Sequence, residues 1–144
     1  LPGVEFVAEQ DARLPEMAIK KAGDILTANP DVNIIWSANE GGTVGSVMAV
    51  KNAGKEGQVA VFGTDSSEQL VEFALSDDGI LQAITTQTPF ELGIKAIEQA
   101  VAVLKGQKVE AKVVMAGVLI AREDPQAVMA FGIRLKELIT LGKK

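Results

Sequence analysis

Short runs rich in Val and Ile recur along this chain, and each is followed by a stretch of helical length. Val32–Ser37 (VNIIWS), Gln58–Gly63 (QVAVFG), Ile80–Thr86 and Lys112–Ile120 are runs of this kind, and Val4–Ala8 (VEFVA) reads as another. Leu14–Ala28, Gly42–Ala53, Ser66–Ser76, Phe90–Leu104 and the segment after Asp124-Pro125 read as helices between and after them. In Leu14–Ala28 the apolar residues Met17, Ala18, Ala22, Ile25 and Leu26 fall at helical spacing. A parallel strand partner can be reached only through a crossover connection, so strands that alternate with helices predict βαβ units around a parallel sheet. Runs this apolar suit strands covered on both faces. The expected fold is α/β: one domain over residues 1–144, three-layer and doubly wound, with a mainly parallel five-stranded sheet.

The breaks between elements are marked. Asn29-Pro30 ends the first helix, Gly54 the second, and Asp77-Asp78-Gly79 is a turn. Thr88-Pro89-Phe90-Glu91 reads as a capping box with proline in the first helical position, and Gly106 stops that helix. The last helix opens at Asp124-Pro125 and closes near Leu141-Gly142.

Composition excludes much of the usual chemistry. The chain has no histidine and no cysteine, which removes the commonest general base, the imidazole and thiolate metal ligands, and the Ser-His and Cys-His nucleophile pairs. A net charge of −5 with acids and bases interspersed leaves no basic patch for nucleic acid. No apolar run approaches the roughly 18 residues of a membrane span. Gly54-Lys55 resembles the end of a phosphate loop, but Glu56 stands where Ser or Thr is needed, and the motif follows a helix. No enzyme, cofactor or metal site is expected.

In an open α/β sheet, ligands bind beyond the carboxyl ends of the strands. Glu9, Gln10, Asp11 and Arg13 follow the first run, Ser37, Asn39 and Glu40 the second, Thr64 and Asp65 the third, and Thr85, Thr86 and Gln87 the fourth. Arg13, Asn39, Asp65 and Gln87 would then combine a fork donor, two amides and an acceptor, a set that satisfies hydroxyls and suits a polyol. Plainer roles compete. Asn39 can cap the next helix, and Asp65, Ser66 or Ser67 can cap theirs. Arg13 can be a solvated surface residue, and Trp36 a core residue of its strand.

Several passages carry a resemblance. Asp24–Pro30 (DILTANP) followed by Val32–Ser37 and Ala38-Asn39-Glu40, then Val61–Asp65 (VFGTD), Ala83–Pro89 (AITTQTP), and Gly93 to Leu104-Lys105-Gly106 occur in one order over roughly residues 20–120. That ordered set resembles the ribose-type, type I periplasmic binding proteins. The resemblance implies a solute-binding component of an ABC-type transport system, with a sugar or polyol held between two hinged lobes and a membrane permease as partner. Its setting would be periplasmic or lipid-anchored outside the cytoplasm. It places Asn39 and Asp65 on hydroxyl-binding positions, Gln87 on a hinge glutamine, and Arg13 near a position that an aromatic ring usually fills.

The resemblance also implies that the chain is a carboxyl-terminal portion. The sequence given opens on Leu1, and on that resemblance it is expected to lack the first lobe and the opening strand and helix of the second. Residues 90–106 resemble a helix of the missing lobe. Val128, Phe131, Leu135, Leu138 and Ile139 on the last helix are expected to cover some of the surface so exposed, and a homodimer or rearranged packing to cover the rest. Two other readings stand beside this one. The effector-binding core of a LacI-type repressor shares the motifs and would be cytoplasmic. A phosphoacceptor receiver domain would use Glu9 and Asp11 for Mg²⁺, Asp65 as acceptor and Thr85 or Thr86 as switch, but no lysine ends the fifth strand.

Overall fold

The computed structural model describes residues 2–142. Its elements run α1 (Pro15–Ala28), β1 (Ile34–Trp36), α2 (Glu40–Asn52), β2 (Ala60–Thr64), α3 (Glu68–Leu75), β3 (Leu81–Thr86), α4 (Pro89–Leu104), β4 (Val118–Ala121) and α5 (Pro125–Leu141). The four strands form one sheet in the order β1-β2-β3-β4. The first three are parallel, with Ile35 opposite Val61 and Gly63 opposite Ile84, and β4 runs antiparallel to β3 with Ile120 opposite Ile84.

Local chemistry accounts for most boundaries. Pro15, Pro89 and Pro125 each stand at the start of a helix, where the missing N–H costs nothing and the fixed φ already fits. Asn29 closes α1 with both its backbone N–H and its side-chain amide on the Ile25 carbonyl. Asp124 caps α5 by accepting from the Ala127 N–H, and Ser67, not Asp65 or Ser66, caps α3.

The core lies between one face of the sheet and the helices. Val61, Ile84 and Ile120 point into it and meet Val44, Val47 and Val50 of α2, Leu70 and Val71 of α3 and Val128 of α5. Alternate strand residues reach opposite faces. Ile34, Trp36 and Leu119 therefore share the other face, and all three are exposed. Helix α1 closes on α2 because its small residues Ala18 and Ala22 are buried and Gly45 faces them. A methyl group at Gly45 would collide with the Ala18 methyl and sit 2.6 Å from the Pro15 carbonyl oxygen. Helix α4, by contrast, buries none of its residues.

The α/β class and the parallel pairing of the middle strands agree with the sequence reading; other expectations are corrected. Val4–Ala8 forms no strand: Val4, Phe6 and Val7 are exposed, with no neighbouring strand to supply hydrogen bonds. The fourth and last strand is only Val118–Ala121, so the sheet has four strands and not five. Trp36 is 66% exposed because β1 is an edge strand and its outer face is bare. Thr88 makes no side-chain cap. Helix α5 turns Val128, Phe131 and Leu135 toward the core and packs on α3 and β4.

The turn into β3 is an electrostatic device. Asp78 accepts from the Ile80 N–H at 3.1 Å, and Lys51 reaches its other oxygen at 3.5 Å. Burial alone would raise the Asp78 pKa, but the Ile80 N–H, the Ser76 hydroxyl and the Lys51 charge outweigh it and hold the group below the usual aspartate value. The unfolded chain then takes up the proton first on acidification. The stabilisation is complete at neutral pH and is lost as the pH falls through the depressed folded value, below about pH 4. Asp78→Ala is expected to lower unfolding free energy by about 1 kcal/mol at pH 7, with the difference from wild type shrinking only below about pH 4. Urea unfolding at pH 7 and pH 3 checks both parts.

Candidate functional site

Parallel neighbours deliver their carboxyl ends to the same edge, so the loops after β1, β2 and β3 leave side by side. Ladder hydrogen bonds continue into those loops. The Ser37 N–H donates to the Phe62 carbonyl at 3.0 Å and the Asp65 N–H to the Thr85 carbonyl at 2.8 Å. Ser37 is buried, and its hydroxyl pairs with Ser46 inside α2 at 2.9 Å, which fastens the β1 loop to that helix.

Asn39 sits at the amino end of α2. Its Oδ1 accepts from the Gly42 N–H at 3.0 Å, and its Nδ2 donates to the Arg13 carbonyl at 3.0 Å. The capping role is therefore real, and it also tethers the segment before α1. The backbone at Arg13 lies so close to α2 that any Cβ at Gly41 would strike its carbonyl oxygen. The amide of Asn39 keeps one hydrogen and one lone pair uncommitted, since an amide offers two of each.

Asp65 is in the left-handed region with φ 72°, a conformation that Asp tolerates better than most residues. Its Oδ2 accepts from the Glu40 N–H at 3.0 Å. One carboxylate oxygen is thus fixed on the β1 loop, and the other is left for a further donor. Next to it, the Ser66 hydroxyl lies 2.8 Å from Thr86 Oγ1, and Thr86 donates to the Gln87 carbonyl at 2.9 Å. The Gln87 side chain is exposed, as is that of Arg13.

The four expected residues therefore stand along one hydrogen-bonded edge. Arg13 joins it by its backbone, Asn39 and Asp65 by their side chains, and Gln87 by its carbonyl. Sequence reasoning gave Ser66 and Thr86 no part in joining these loops. Their only signal was position, each one residue from a candidate. Glu9 and Asp11 do not gather with Asp65: among the described residues, no group of three or more Asp or Glu is placed to hold a metal ion. The receiver reading loses its Mg²⁺ pocket for that reason. Two apolar depressions lie elsewhere, one along α4 at Phe90, Ile94 and Ile97, the other on the outer side of α5 at Ile133 and Leu141.

A family model described as a periplasmic binding protein domain matches residues 1–108. The chain belongs to the periplasmic binding protein family. The ribose import binding protein of Escherichia coli (strain K12) is 38% identical over 91 residues, which cover 62% of this chain and 29% of that protein. An ABC transporter periplasmic-binding protein of the same organism is 29% identical over 114 residues, 79% of this chain and 35% of the relative. Among solved structures, a periplasmic solute binding protein of Actinobacillus succinogenes 130z with bound D-allose superposes with a TM-score of 0.80 at 32% identity, over 87% of this chain and 44% of that one. An Agrobacterium vitis solute binding protein bound with alpha-D-tagatopyranose gives 0.82 at 25% identity, over 90% and 44%. The chain thus spans about a third of the length of the curated relatives it matches. These relatives are binding proteins of transport systems, and the residues that the family model matches include Asn39, Asp65 and Gln87.

Asn39 is expected to serve the fold as well as the site. Asn39→Ala removes an N-cap and a tether, and a cap of this kind is worth about 1 kcal/mol. Thermal and urea unfolding should show that loss, whereas Gln87→Ala, whose side chain is exposed, should leave stability unchanged.

Proposed function

We propose that this chain is the carboxyl-terminal lobe portion of a solute-binding component of an ABC-type transport system, and that it offers half of a sugar or polyol site. The observation that carries this reading is the state of the edge groups. Asn39 and Asp65 are each anchored by one hydrogen bond or two and each retains unused capacity, beside exposed Gln87 and Arg13. Groups held in place but only partly satisfied suit hydroxyls, each of which gives one hydrogen bond and takes others. Asp65 is the acceptor, Asn39 and Gln87 work in both directions, and Arg13 adds donors in a fork. Arg13 offers no aromatic ring for a sugar face, which also makes a polyol with a negative group a suitable ligand. No covalent step is required of these residues, and the role is binding rather than catalysis.

Names and bound sugars among the relatives support ribose, allose or a similar sugar as the ligand class, a permease as the partner and the periplasm as the location. In this reading a second lobe closes over the ligand and covers α4, with residues 90–106 belonging structurally to that lobe. The bare sheet face at Ile34, Trp36 and Leu119 and the exposed α4 are what such an arrangement leaves uncovered in this portion. With each hydrogen bond worth about 0.5–1.5 kcal/mol net, half a set gives affinity orders of magnitude below that of the closed pair.

Calorimetry on the two-lobe protein containing this sequence, against D-ribose, D-allose and a panel of pentoses, hexoses and alditols, tests the assignment. One polyol should bind, and Asp65→Ala should weaken it at least tenfold. If no polyol binds, the assignment is wrong. In the isolated chain, α4 is expected to drive self-association through Phe90, Ile94, Ile97, Val101 and Leu104, whose alternating spacing of four and three makes a continuous stripe. Light scattering should give twice the chain mass at tens of micromolar, and Ile97→Glu should return the single-chain mass.

A further inference from the structure

Thr86 is the last residue of β3, and it is 4% exposed. A hydroxyl has one proton to donate and lone pairs to accept with. Its two near partners, the Gln87 carbonyl at 2.9 Å and the Ser66 hydroxyl at 2.8 Å, differ in what they can do. A carbonyl only accepts, so the Thr86 proton is committed to Gln87. The Thr86 oxygen must then accept from Ser66. Distance alone leaves the direction of the Ser66–Thr86 pair open, and the proton inventory closes it: Ser66 donates to Thr86, and Thr86 donates to Gln87.

Both ends of this relay touch the proposed site. Ser66 follows Asp65, whose carboxylate is held from the other side by the Glu40 N–H. At Gln87 the relay holds the peptide carbonyl at the point where the chain leaves the sheet for α4. Helix α4 buries nothing, so its own packing does not place this junction. We infer that Ser66 and Thr86 are positioning residues for the ligand: together they set the separation and orientation of Asp65 and Gln87, without touching the ligand themselves. This rests on the polyol-binding reading above.

Three variants separate positioning from bulk stability. Thr86→Val keeps the shape and deletes the relay, Ser66→Ala deletes its donor, and Thr86→Ser restores the hydroxyl. Two readouts are taken: D-ribose and D-allose affinity of the two-lobe protein by calorimetry, and the ligand-free amide shifts of residues 65 and 87 in the 144-residue chain. Thr86→Val and Ser66→Ala should each weaken affinity about two- to tenfold, the equivalent of one net hydrogen bond. The double variant should be no worse than Thr86→Val, because both act on one relay. Thr86→Ser should bind within twofold of wild type. The Asp65 amide shift should move in Thr86→Val and the Gln87 amide shift in Ser66→Ala, each across the relay and not beside the substitution, and the Asp65 shift should return in Thr86→Ser. Unchanged affinity and shifts, additive losses in the double variant, or failure of Thr86→Ser to rescue would overturn the inference. If the wild type binds neither sugar, the functional reading fails for those ligands, and the ligand-free shifts still decide whether the relay places Asp65 and Gln87.

Discussion

Parallel pairing of β1, β2 and β3 is the constraint on which the rest of this structure depends. A strand has a direction, and three neighbours that share one must release their next residues on the same edge. Asn39, Asp65 and Gln87 lie 26 and 22 residues apart in sequence, yet each stands one to three residues beyond a strand end. The Ile35–Val61 and Gly63–Ile84 registers bring them together. The same parallel pairing forces crossovers, and α2 and α3 are those crossovers. Their apolar faces then fill the space over Val61 and Ile84 and build the core. Fold and site are consequences of one geometric fact.

The polar groups of that edge are shared between neighbouring loops. Each loop is stitched to the next: Asn39 to Arg13, Glu40 to Asp65, Ser66 to Thr86, and Thr86 to Gln87. These bonds hold the loops without exhausting them. A carboxylate accepts at several lone pairs and an amide has four hydrogen-bonding positions, so one anchoring bond at Asp65 and two at Asn39 orient the groups and leave the rest available. Asp65 adds a backbone in the left-handed region, which turns the chain sharply as it leaves β2. An edge that is ordered before any ligand arrives reduces the entropy that binding must overcome.

Trp36, Ile34 and Leu119 on the outer sheet face, and the apolar stripe of α4, are more than scattered exposed side chains. They occur on the elements least enclosed by the described residues, the two edge strands β1 and β4 and a helix that buries nothing. The chain covers about a third of the length of its curated relatives, and contiguous exposed apolar faces mark contact surfaces. The core beneath α2 and α3 is complete without them.

Much of this was written locally. Proline at the first turn of α1, α4 and α5, the Asn29-Pro30 stop and the β-branched runs of β2 and β3 act over a few residues, so sequence alone determined those elements and the α/β class. The candidate residues were legible too, because strand order and chain position sufficed to name them. The errors share one cause. Val4–Ala8 has a strand's composition but no partner, and a strand without a partner has unpaired N–H and C=O groups. Most of the Lys112–Ile120 run fails the same way, since only Val118–Ala121 reaches β3. Trp36 looks like core by composition and is exposed because its strand is at the edge. The Ser66–Thr86 relay needs the loop after β2 and the end of β3, 20 residues apart, to meet at 2.8 Å. Sequence determined which segments could be strands and which groups could bind. Only the tertiary structure decided which strands found neighbours and which hydroxyls found each other, because hydrogen bonds between distant segments are conferred by proximity and not by residue type.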